Sequence, residues 1–181
     1  TLDLRAPVTY EMVAGFKIPV CLRVDDTVSA LQTVAKFWRS HLNVSVVGIT
    51  GSVGKTTTKE IIAAVLSTRF RTLKSKGNFN NEIGLPISIL QISEAHERAV
   101  LEMGFFQIGE IDLLCSIAKP RIGVVNNVYA VHLSRAGSIE NIVQGKGELI
   151  ESLPSDGVAI LNMDEPLVMS MASRAKCRVM T

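Results

Sequence analysis

With 181 residues and 19.6 kDa, the chain has room for about one domain, or one and part of another. Its 47% hydrophobic and 20% charged residues fit a chain that buries a core and exclude disorder. Nineteen Lys+Arg against seventeen Asp+Glu leave +2, too small a surplus to imply a nucleic acid or an anionic membrane as partner.

Cys21, Cys115 and Cys177 are odd in number and form no CxxC pair. A disulfide framework or zinc site is therefore not expected, and a reducing, cytoplasmic setting is. No stretch reaches the ~18 uninterrupted apolar residues of a membrane span. The start, Thr1-Leu-Asp-Leu-Arg5, has no signal-peptide layout and no initiator Met, so a piece of a longer protein is expected.

Residues 1–43 carry Pro7, Pro19 and two apolar runs without βαβ rhythm. Asp26-Thr27 is positioned to cap a helix with the stripe Leu31, Val34, Ala35 and Trp38. This part reads as the end of a preceding domain plus a connecting helix; the alternative is a first layer of the same domain. From Val44 on, strands and helices take turns. Val44–Ile49, Arg98–Met103, Arg121–Val128 and Gly157–Leu161 read as strands, and Arg178–Met180 as the start of a fifth. Between them, Lys55–Thr68 reads as a helix with Ile61, Ile62, Val65 and Leu66 on one side. Gly109–Ala118 is a helix stopped by Pro120, and Ser138–Ser152 one capped by Ser138. Such alternation predicts an α/β fold, a mostly parallel sheet with helices on both faces.

Thr50-Gly-Ser-Val-Gly-Lys-Thr-Thr57 sits between a strand and a helix. There, glycines let backbone N–H groups curl around phosphate oxygens and the helix N-terminus adds its positive end. Lys55 can reach β- and γ-phosphates, and the Thr56 hydroxyl can ligate Mg²⁺. The usual first glycine, five residues before Gly54, is replaced by Ile49, and the glycines instead fall at 48, 51 and 54. A ligand-free glycine turn is the bland alternative.

Ligands of open parallel sheets gather at the carboxyl ends of strands. Glu102 closes the run Ala99-Val-Leu101 and is a candidate Mg²⁺ ligand; the alternative is an acid bonded to a nearby loop. His132 follows the strand ending near Val128, either as a ligand or as a histidine satisfied in the core. Lys146 occupies the i+7 place from Ile139, on the stripe of Ile142, Val143, Leu149 and Ile150. There it snorkels, pairs with an acid or loses its charge, and a neutral amine can react with CO₂.

Six blocks occur in family order: Gly48–Thr57, Gly77-Asn-Phe-Asn-Asn-Glu-Ile-Gly-Leu-Pro86, Leu101–Gly104 with Gly109–Ile111, His132-Leu133, Gly145-Lys-Gly-Glu148 and Leu161–Asp164. Together they resemble the central ATP-binding domain of a Mur ligase. Within that family the Asn-Phe-Asn-Asn block is most similar to members that add D-alanyl-D-alanine to UDP-N-acetylmuramoyl-tripeptide. The resemblance covers about Val24–Asp164. It implies that Gly51, Ser52, Val53, Gly54, Lys55, Thr56 and Thr57 cradle ATP. Thr56 and Glu102 would hold one Mg²⁺, and His132 and a carbamylated Lys146 a second. Lys55, His132 and Lys146 would then be catalytic, with Asn80 and Asn81 facing the phosphates and the acceptor carboxylate.

Three positions depart from the family pattern: Glu165 in place of Asp, an unusually apolar Phe105-Phe-Gln107, and Gly145 in place of alanine. The implied layout is residues 1–43 as the end of a UDP-sugar-binding domain with its connecting helix, and 44–181 as an ATP-binding domain short of its C-terminal end. A closing C-terminal domain would be absent, leaving this piece limited to nucleotide binding. A cytoplasmic monomer that makes peptidoglycan precursors is expected. Three alternatives stand beside it: a Mur ligase adding a single amino acid, another phosphate-transferring P-loop NTPase, and a non-catalytic nucleotide-binding module.

Overall fold

The β-branched runs become one parallel sheet in the computed structural model, which describes residues 2–3, 21–130 and 133–181. Two short strands, β1 (Leu2–Asp3) and β2 (Leu22–Arg23), form a separate parallel pair. The main sheet contains β3 (Ser45–Thr50), β4 (Thr72–Lys74), β5 (Arg98–Glu102), β6 (Ile122–Val125), β7 (Val158–Leu161) and β8 (Arg178–Met180). Their order is β4-β5-β3-β6-β7-β8, and every pairing in it is parallel. No described helix is long and apolar enough to cross a membrane.

Neighbouring strand residues point to opposite faces, so the sheet has two cores. Val47, Ile49, Val100 and Val124 face α2 (Lys55–Ser67), which contributes Ala63 with Ile62 and Leu66. Val46, Ala99, Leu101, Val125 and Ala159 face the other way. They pack with α1 (Thr27–Ser40), α3 (Gly84–Leu90), α4 (Glu110–Ala118) and α6 (Ile139–Glu151). The remaining elements are α5 (Leu133–Ala136), α7 (Pro166–Met169) and the 3₁₀ turn Ser170–Arg174. Helices thus cover both faces, as the alternation predicts.

Both expected caps form. Asp26 accepts the N–H groups of Val28 and Ser29 at 3.1 and 3.0 Å, and Ser138 accepts that of Asn141 at 3.2 Å. Two helical stripes differ from expectation. On α1, Val34 is exposed, while Ala35 and Arg39 are buried. The Arg39 guanidinium is held inside by the carbonyls of Ala118, Leu42 and Val44 at 2.7 to 3.0 Å, tying α1 to the end of α4. On α2, Ile61 and Val65 are exposed, and the inward face runs through Lys59, Ile62, Ala63 and Leu66. Its i, i+3, i+4, i+7 spacing is as regular as the expected one, but it includes a lysine. Elements β4 and α3 are not apparent from sequence pattern. Pro86 falls in the first turn of α3, where no N–H is required of it.

Strand β3 lies between β5 and β6, with Ile49 beside Glu102 and Thr50 beside Val125. Chain connections diverge on either side of β3, so a crevice opens at its carboxyl end.

Candidate functional site

The loop from Thr50 to Gly54 leaves β3 and turns into α2. Gly54 has φ +80°, a left-handed conformation that costs a side-chain-bearing residue energy. As the N-cap of α2 it brings no side-chain hydrogen bond, and a helix start of this kind favours an anion. The end of β6 braces the loop. Asn127 Oδ1 accepts the N–H groups of Ser52 and Val53, both at 3.0 Å, and Asn127 Nδ2 donates to the Val53 carbonyl at 3.1 Å. The Lys55 ammonium donates to the Gly51 carbonyl at 2.9 Å. Burial pulls its pKa below the ordinary lysine value, and the negative charge of Glu102 opposes that shift.

Glu102 is 3% exposed at the end of β5. The Thr56 hydroxyl donates to its Oε2 at 2.9 Å, and the Asn80 amide donates to its Oε1 at 2.8 Å. Its backbone N–H donates to Ser75 Oγ at 3.2 Å. A strand end, the start of a helix and the 77–81 loop therefore converge on one carboxylate. Asn81 is used differently: its Oδ1 accepts the N–H of Gly84 at 2.8 Å and caps α3. Thr57 is exposed beside an open cleft of about 480 Å³ that adjoins the loop and is also lined by Asn126 and Asn162.

Lys146 does not snorkel. It is 3% exposed and lines a cleft of about 140 Å³ with Ser52, Lys55, Asn80 and Phe105. Burial, and then the charge of Lys55, bring its pKa down from 10.5 to about 7. The shift raises the share of uncharged amine near neutral pH, the form that adds CO₂ to give a carbamate and a proton. The Nζ lies 5.2 Å from the centre of the Phe105 ring. That ring fills the space a side chain at position 145 would need: a Cβ on Gly145 would come within 1.9 Å of Phe105 Cε2. Two of the departures from family pattern are thus one arrangement, with an aromatic ring taking the room an alanine methyl would occupy.

His132 lies outside the described residues. Among those described, no group of three or more His, Cys, Asp or Glu side chains gathers as a metal cluster. Thr56 and Glu102 offer two hard oxygen donors beside the loop, a set that fits Mg²⁺, which keeps waters and phosphate oxygens as its other ligands. Cys115 is buried, which pushes its thiol up to about 12 and leaves it unsuited to act as a nucleophile. Sequence pattern missed Asn127, which braces the loop from far along the chain, and Lys59, which resembles an ordinary surface lysine of a helix.

Residues 49–181 match the family model described as the Mur ligase middle domain. Over 150 residues the chain is 49% identical to the UDP-N-acetylmuramoyl-tripeptide--D-alanyl-D-alanine ligase of Bacillus subtilis, covering 83% of this chain and 33% of that protein. It is 41% identical to the Escherichia coli ligase of the same name, covering 79% and 32%. The chain therefore spans about a third of the length of the curated relatives it matches. Among solved structures, MurF from Acinetobacter baumannii superposes with a TM-score of 0.84 at 32% identity, covering 91% of this chain and 37% of that one. MurF ligase from Thermotoga maritima in complex with ADP gives 0.80 at 36% identity, covering 87% and 37%. The family match takes in well over half of the sequence, and the chain belongs to the Mur ligase family.

Proposed function

We propose that this chain is the nucleotide-binding part of a cytoplasmic ligase that uses ATP to join D-alanyl-D-alanine to UDP-N-acetylmuramoyl-tripeptide. The observation that carries this reading is the convergence of Thr56, Asn80 and Lys59 on buried Glu102, directly beside the Gly51–Thr57 loop. The names of the relatives, and the ADP of the Thermotoga maritima complex, support the nucleotide and the two substrates. Residues 1–43 would be the end of a UDP-sugar-binding domain with its connecting helix.

In the proposed reaction the terminal carboxylate of the tripeptide attacks the γ-phosphorus of ATP. The bond to the β-γ bridging oxygen breaks, giving an acyl phosphate and ADP. The amine of the dipeptide then attacks the acyl carbon, inorganic phosphate departs and a proton is lost from nitrogen. Lys55 is suited to hold the phosphates as charge passes to the leaving oxygen. The role of Thr56 and Glu102 is to hold a divalent cation, and that of His132 and carbamylated Lys146 to hold a second. Such cations offset negative charge on the phosphates. Asn80 would orient the acceptor carboxylate from the loop that closes on Glu102.

The test is ATP-dependent phosphate release by the full-length protein. Release should require UDP-N-acetylmuramoyl-tripeptide and D-alanyl-D-alanine together. Equal release with a single amino acid in place of the dipeptide would overturn the assignment.

A further inference from the structure

Lys59 has no exposed surface, although it sits only one turn beyond Lys55 on a helix whose outer face is open to solvent. Its ammonium donates to the Gly77 carbonyl at 3.0 Å, lies 3.6 Å from Glu60 Oε1 and 4.0 Å from Glu102 Oε2. Glu60 is half-exposed and already paired with Lys74. Glu102 is buried and, among the described residues, Lys59 is the one ammonium within 4.0 Å of it, although its charge also acts on the more distant Lys55. Lys55 is turned to its own loop carbonyls and Lys146 to the ring of Phe105.

A buried carboxylate without a counter-charge is strongly unfavourable. A lysine suits this place, since a compact ammonium can donate to the Gly77 carbonyl while its charge acts on a carboxylate at ion-pair distance. The bond to Gly77 also fixes the start of the loop whose Asn80 closes on the other oxygen of Glu102. One ammonium therefore braces both the carboxylate and the loop that contacts it.

We propose that Lys59 is a positioning residue: it is the built-in counter-cation of Glu102, holding that carboxylate and the 77–81 loop in place before a divalent cation arrives. The inference rests on the reading of Thr56 and Glu102 as cation ligands. A divalent cation there shares Glu102 with Lys59, and like charges repel. Lys59 therefore lowers the affinity of the site for the cation while keeping it assembled.

The test uses thermal unfolding and direct Mn²⁺ binding, followed by electron paramagnetic resonance with ADP present, on the 181-residue chain. Lys59→Met should melt lower than the unchanged chain in metal-free buffer. It should bind Mn²⁺ roughly three- to tenfold more tightly, and so gain more in Tm from added Mn²⁺. Lys59→Arg, which keeps the charge, should bind Mn²⁺ as the unchanged chain does. Adding Glu102→Gln to Lys59→Met should recover most of the lost Tm, because a neutral amide needs no counter-charge. Equal Mn²⁺ affinity in Lys59→Met, or a double variant whose losses merely add, overturns the inference. Should Lys59→Met alone fail to fold, the double variant decides, and its failure to fold also overturns the inference. Absence of Mn²⁺ binding in the unchanged chain would instead refute the cation reading of Thr56 and Glu102, and the double-variant rescue would still judge Lys59.

Discussion

Glu148 accepts the backbone N–H of Gly109 at 2.6 Å, so the helix that carries Lys146 also caps the start of α4. The second oxygen of Glu148 accepts the N–H of Asp112 at 3.0 Å. Residues two apart on a helix face different directions, and here Lys146 serves the cleft while Glu148 serves a neighbouring helix. Glu148→Ala should cost about 0.5–2 kcal/mol of stability, as loss of a helix cap does. Glu148→Gln, which keeps an acceptor oxygen, should cost less. Urea denaturation of the chain measures both.

Lys55→Ala removes a charged side chain placed to bond phosphates at the loop. A charge-assisted hydrogen bond of this kind is worth about 1.5–3 kcal/mol, so affinity for Mg-ADP should fall roughly ten- to a hundredfold. Titration calorimetry reads this directly, and an unchanged affinity would remove the nucleotide assignment from the loop.

Lys146 makes stability depend on pH. In the unfolded chain it keeps its proton up to about 10.5, and in the fold only to about 7. Between these values the unfolded state binds more protons, so stability rises as pH rises through this window. Below about 7 the burial penalty is present in full, and near 10.5 it is gone. The slope should approach about 1.4 kcal/mol per pH unit in the middle of the window. Lys146→Met should flatten the curve from this group, as denaturation at a series of pH values will show.

Gly145→Ala drives a methyl into the Phe105 ring, and overpacking of this kind costs about 1–3 kcal/mol. Phe105→Leu alone should also destabilise, by opening space beside Lys146. Combined, the two should be less harmful than their sum, with a coupling of at least about 0.5 kcal/mol in a double-variant cycle. Strict additivity would show that the ring and the glycine do not share one space.

Local spacing is what made parts of this site legible. Gly51, Gly54, Lys55 and Thr56 are neighbours in sequence and stay neighbours in the fold. Glu102 could be placed because it ends a strand, and Lys146 because it interrupts an apolar stripe. Lys59 could not, since the stripe through Ile61 and Val65 scores as well by pattern as the true one through Lys59 and Ala63. Only the pairing of β3 with β5, which brings Glu102 alongside, explains why a lysine turns inward. Asn127 was hidden for the same reason: its bonds to Ser52 and Val53 cross from β6 to the loop after β3. Helix α3 escaped notice because Gly84-Leu-Pro86 reads as a break until Asn81 is seen capping it.

The bracing of the phosphate loop by Asn127 has a consequence for synthesis. A ribosome releases β3 and its loop well before β6, with two strands and three helices in between. Until β6 emerges, Ser52 and Val53 lack the amide that shapes their turn, and one whole flank of β3 is unpaired. A nascent chain stopped short of Asn127 therefore carries every residue of the glycine loop yet has no formed cradle for an anion. Competence to bind should appear late and abruptly during elongation, when the sixth strand docks, rather than grow in step with length.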